Sequence, residues 1–66
     1  MKKYLIVGID ASGKEHRVGG FGKPNDACAW SAFWLDYASN LRYPDYDLIL
    51  YRIGFFGGRT FITADY

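Results

Sequence analysis

The first stretch of this chain that could do chemistry is Gly8-Ile9-Asp10-Ala11-Ser12-Gly13-Lys14. Two glycines separated by four residues and followed by lysine have the spacing of a phosphate-binding loop. The next position is Glu15, however, where that loop needs a Ser or Thr to hold magnesium. Such a loop must also run into a helix, and here the chain turns back into a strand. The stretch therefore reads as a hairpin turn, and nucleotide hydrolysis is rejected. His16 could serve as an acid or base but has no plausible partner close in sequence, so it reads as a solvated strand-edge histidine. Cys28 lacks a His or Asn constellation and reads as an exposed, structurally neutral thiol. Asp45, Asp47 and Asp65 do not have the spacing of a calcium loop, and Asp45 reads as part of a turn. Trp30 and Trp34, one helical turn apart, read as core packing. No catalytic residue, metal site or cofactor is expected, and the chain is not read as an enzyme.

The elements that position these residues follow from periodicity. Tyr4 to Ile9 is rich in branched and aromatic residues and predicts a strand; Asp10 to Lys14 is a turn; His16 to Phe21 returns as a second strand. Gly19-Gly20 marks a bulge or a weak edge. Asn25 is a good N-cap with Asp26 in the first turn, and a helix is predicted over Asn25–Leu41. Its wheel places Ala27, Trp30, Phe33, Trp34, Tyr37 and Leu41 on one face and Cys28, Ala29, Ala32, Asp36, Ser39 and Asn40 on the other. Asp47 to Phe56 predicts a third strand, Gly57-Gly58 a tight turn, and Arg59 to Tyr66 a fourth strand. The expectation is an α+β fold, ββαββ, over a single domain 1–66: a mostly antiparallel four-stranded sheet with one helix packed on one face.

Sixty-six residues allow one modest core. A single cysteine forbids an internal disulfide, and one histidine leaves no metal cluster to add stability. The remaining sources are an aromatic core, with 20% Phe, Trp and Tyr, and self-association, so a homodimer is expected. The apolar run after Met1-Lys2-Lys3 breaks at Gly8 and is too short for a signal core or a membrane span. A cytoplasmic location is expected, with no membrane partner.

A sheet covered by one helix should alternate apolar and polar residues. The strands here are apolar on both sides: Leu48 and Leu50 oppose Ile49, Tyr51, Ile53 and Phe55, and Leu5, Val7 and Ile9 oppose Tyr4 and Ile6. The second face is then a binding surface or is covered by another molecule. One candidate is a second copy of the chain. The other is single-stranded nucleic acid, with bases stacked on Tyr4, Tyr51 and Phe61 and phosphates held by Lys2, Arg17, Arg52 or Arg59. A net charge of +1 rules out coating nucleic acid by charge alone.

The layout resembles the small nonstructural protein of gokushovirus-type tailless single-stranded DNA phages. The residues that carry the likeness are a strand starting almost at Met1, the helix opening Asn25-Asp26-Ala27, then Pro44-Asp45-Tyr46-Asp47-Leu48 and Leu50-Tyr51-Arg52-Ile53-Gly54 followed by Phe55. The chain departs from that pattern at Phe55-Phe56-Gly57-Gly58 and in its two helical tryptophans. The resemblance implies an early, non-capsid protein tied to phage genome replication, binding single-stranded DNA or a host or phage replication protein. It brings no catalytic residues. The alternative is a protein-interaction module, an inhibitor or adaptor of a host factor, without nucleic-acid binding.

Overall fold

The computed structural model describes residues 1–38 and 43–62, omitting the side chain of Ala38. Strands β1 (Lys2–Ile9), β2 (Glu15–Lys23), β3 (Asp47–Ile53) and β4 (Arg59–Phe61) form one sheet in the order β2-β1-β3-β4, and helix α1 (Asp26–Phe33) lies between β2 and β3 in the chain. This is the α+β, ββαββ architecture expected, and every pairing is antiparallel. Because β2 and β3 both run against β1, which lies between them, they are parallel to each other. The helical segment is therefore the crossover that such a pair requires.

The two hairpins share one loop geometry. In the first, the Asp10 N–H donates to the Lys14 carbonyl at 3.0 Å and the Gly13 N–H to the Asp10 carbonyl at 2.9 Å. In the second, Gly54 N–H donates to the Gly58 carbonyl at 2.6 Å and Gly57 N–H to the Gly54 carbonyl at 3.0 Å. Gly13 and Gly57 take φ of 85° and 88°, the left-handed conformation that ends a three-residue hairpin loop. The apparent phosphate loop is thus a turn. The second loop corrects two expectations: β3 ends at Ile53 rather than Phe56, and the tip of the turn is Phe55-Phe56 rather than Gly57-Gly58.

β2 carries a bulge at Val18, since Ile6 pairs Gly19 while Val7 pairs Arg17. Next to it, Gly19 admits the helix: an added Cβ would stand 2.6 Å from the Tyr37 hydroxyl oxygen. The Asn25 carboxamide oxygen caps α1, accepting the Cys28 N–H at 2.9 Å. The helix continues past Phe33 as a wider π-type turn, Trp34–Ala38, and the expected end at Leu41 lies outside the described residues, as does the strand expected beyond Ile62.

The core between helix and sheet is Tyr4, Ile6, Ala29, Phe33, Leu50 and Ile62, flanked by Val18, Phe21, Trp30, Tyr37 and Leu48. Ala29, placed by the wheel on the polar side, is fully buried, whereas Ala27 is exposed and Trp34 is 48% exposed. The buried stripe runs through Ala29 and Phe33, with Tyr37 partly buried beside it, and it has a small residue at its most buried position. Tryptophan is too large for that position.

The second sheet face is not simply open. Leu5 and Val7 on that face are only 6% and 2% exposed within the single chain. Edge strands of a flat four-stranded sheet stand about 14 Å apart. Here Arg59 of β4 nevertheless reaches Glu15 of β2, with Nη1 to Oε1 at 3.1 Å. The sheet is therefore coiled so that two diagonal corners meet, and the groove holding Leu5 and Val7 is walled by Glu15, Arg17 and Arg59. The expectation that another molecule must cover this face is corrected at its centre. Its rim is still uncovered.

Candidate nucleic-acid interface

Register and alternation sort the suspected residues into two groups. Lys3, Leu5, Val7, Ile49, Tyr51, Ile53, Arg17, Arg59 and Phe61 share the coiled face. There Tyr51 and Phe61 are cross-strand partners with ring centroids 6.1 Å apart at 84°, and the Arg59 guanidinium lies 5.3 Å from the Tyr51 centroid. Phe61 is 57% exposed and Tyr51 half-buried.

Tyr4 and Arg52 go to the opposite face, which corrects their assignment as stacking and phosphate residues. Tyr4 is buried under the helix, and its hydroxyl donates to Asp26 Oδ1 at 2.6 Å. Arg52, directly across from Tyr4 in the register, forms an ion pair with Asp26 Oδ2. One carboxylate in the first turn of α1 thus fastens helix, β1 and β3 together, and neither partner is spare for a ligand. Lys2 is exposed at the end of β1.

Charge distribution supplies what the net charge conceals. Lys2 faces Lys23 in register and Lys3 follows, so these lysines gather at one end of the sheet, while Arg59, whose backbone pairs Ile53 there, turns its guanidinium to Glu15. Asp10, Glu15 and Asp47 stand at the other, around the two pairings of Ile9. Two lysines directly opposite one another repel, although the Lys23 ammonium also lies 5.9 Å from the Phe21 ring centroid. Phe55 and Phe56 project beyond the same basic end, each 96% exposed, and were not singled out from the sequence as a surface feature. The signal was present in the flanking glycines, Gly54 and Gly57-Gly58, which leave two phenylalanines at a loop tip.

His16 has a partner after all, across the first hairpin: its Nε2 lies 2.7 Å from Asp10 Oδ2. Asp10 Oδ1 also accepts the Ser12 hydroxyl at 2.6 Å, the Ser12 N–H at 2.9 Å and the Lys14 N–H at 3.0 Å. The Ser12 hydroxyl, then His16 and the Lys14 amide, hold the Asp10 carboxyl far below the usual carboxylate range. The three side chains do not make a nucleophilic triad, because the carboxylate rather than the imidazole stands in the middle. Ser12 donates to the Asp10 carboxylate and not to the imidazole. The assembly pins the hairpin. A carboxyl depressed on folding adds stability above its unfolded value of 3.8, and that stability is lost as pH falls below it. Urea midpoints measured from pH 7 to 2 should therefore drop below about pH 4, and Asp10→Asn should flatten that drop.

Among the described residues no group of three or more His, Cys, Asp or Glu could hold a metal ion, and no helix is long and apolar enough to cross a membrane. Cys28 is exposed. No family model, curated protein or solved structure matches the chain.

Proposed function

We propose that this chain is a non-catalytic, single-stranded nucleic-acid-binding protein that works through the basic end and rim of its coiled sheet. One observation carries the reading: the in-register Lys2–Lys23 pair lies, with Lys3, at the same end as the fully exposed Phe55 and Phe56. Lysines hold phosphates, and exposed rings offer π-faces to unstacked bases. Lys2, Lys3, Arg17 and Lys23 are assigned to phosphates, with Phe61, Phe55 and Phe56 as stacking platforms; Arg59 sets the Tyr51 ring. The phage nonstructural protein that the sequence resembles points the same way, toward single-stranded DNA during genome replication.

The test is fluorescence anisotropy of a labelled single-stranded oligonucleotide titrated at several salt concentrations. Four phosphate contacts predict a slope of log K against log salt of about −3. Phe61→Ala should weaken binding about tenfold at every salt, while Lys2→Ala with Lys23→Ala should flatten the slope. No binding at low salt removes the reading.

A second reading is favoured by the exposure of Phe55 and Phe56: the tip docks into a protein, either a second copy of this chain or a replication protein. Sedimentation of the wild type and Phe55→Ser/Phe56→Ser separates the cases. A dimer lost in the variant supports self-association.

A further inference from the structure

A separate aromatic cleft lies away from the basic end. The chain's two tryptophans, Trp30 and Trp34, meet nearly edge to face, with centroids 6.0 Å apart at 70°. Across from them, Tyr43 and Tyr46 stack at 6.1 Å and 11°. With Tyr37 and Asp47 these residues line a cleft of about 290 Å³. The position of Tyr46 is fixed by two features of the sheet. Gly8 leaves room beneath it, since a Cβ there would stand 2.6 Å from the Tyr46 ring, and His16 stacks on it at 4.9 Å and 6°. The cleft wall is therefore held in place before any ligand arrives.

We infer that this cleft is a binding site for a small organic cation of the methylated-ammonium class. Ring faces carry negative potential, and a cleft lined by Trp30, Trp34, Tyr37 and Tyr43 attracts a cation that is weakly hydrated. Among the described residues that line it there is no lysine or arginine, and the one charged residue is acidic. The volume lies just below the roughly 300–1,000 Å³ of clefts that take drug-sized molecules, which suits a headgroup rather than a larger ligand. A core role alone leaves Trp34 unexplained, because it is 48% exposed beside the cleft.

Both tryptophans line the cleft, so intrinsic fluorescence reports on it without a label. The protein is titrated with choline chloride at constant ionic strength, and in parallel with 3,3-dimethylbutanol, which has the same shape without the charge. A saturable change with choline and none with the neutral analogue is the expected result. Asp47→Asn should weaken choline roughly fivefold, and Trp34→Ala, at an exposed position, should abolish the response while circular dichroism stays unchanged. Equal responses to both compounds would show an apolar cleft without cation selectivity, and no saturable response would show no site; either overturns the inference.

Discussion

Replacing Ile6 with alanine is expected to lower the unfolding free energy by about 3–4 kcal/mol. Ile6 is completely buried at the centre of the sheet, flanked in register by Gly19 on β2 and Leu50 on β3. Gly19 has no side chain of its own to move into the space, and the Tyr37 ring already seated over it limits collapse from that side. A domain of this length holds only about 3–10 kcal/mol in total, so much of the Ile6→Ala population should be unfolded at 37 °C. Urea titration followed by tryptophan fluorescence measures it. A loss under about 1 kcal/mol would mean that the core is not centred on this strand.

Asp26→Ala should rank next, at about 2–3 kcal/mol. The substitution removes the acceptor of the buried Tyr4 hydroxyl's 2.6 Å hydrogen bond and the anion paired with Arg52, from a residue that also favours the helix N-terminus. The ion pair is partly exposed, which keeps the figure below that of a fully buried pair. Tyr4→Phe isolates one component and should cost about 1 kcal/mol. The double-mutant cycle between Tyr4→Phe and Asp26→Ala should show coupling, because the two groups share one bond. Additive losses would contradict the network.

Local signals were readable where the chain's own chemistry determines the outcome. Asn25 and Asp26 marked the helix start, Gly13 marked the first turn, and branched residues marked β1 and β3; all are short-range effects. The partition of Tyr4 and Arg52 from Tyr51, Phe61 and Arg59 was not readable. Both faces of these strands are apolar, so alternation alone could not say which face the helix covers, and the packing of Ala29 and Phe33 with Tyr4, Ile6 and Leu50 settles it. The Asp26 bonds to Tyr4 and Arg52 span 22 and 26 residues, beyond any local pattern. Ala29 was misplaced because the wheel was set by the two tryptophans, whereas Ala29 is fully buried and Trp34 is half exposed. The coil that joins Arg59 to Glu15 depends on accumulated twist across four strands, which no single strand encodes.

The most direct test of the nucleic-acid reading is the amide nitrogen–proton NMR spectrum of labelled protein titrated with a short single-stranded DNA at low salt. The account predicts shifts concentrated at Lys2, Lys3, Arg17, Lys23, Phe55, Phe56 and Phe61, with Asp26, Ala29 and Phe33 unmoved. Shifts confined to α1, or none at equimolar DNA, would contradict it and leave the phenylalanine tip as a protein-docking surface.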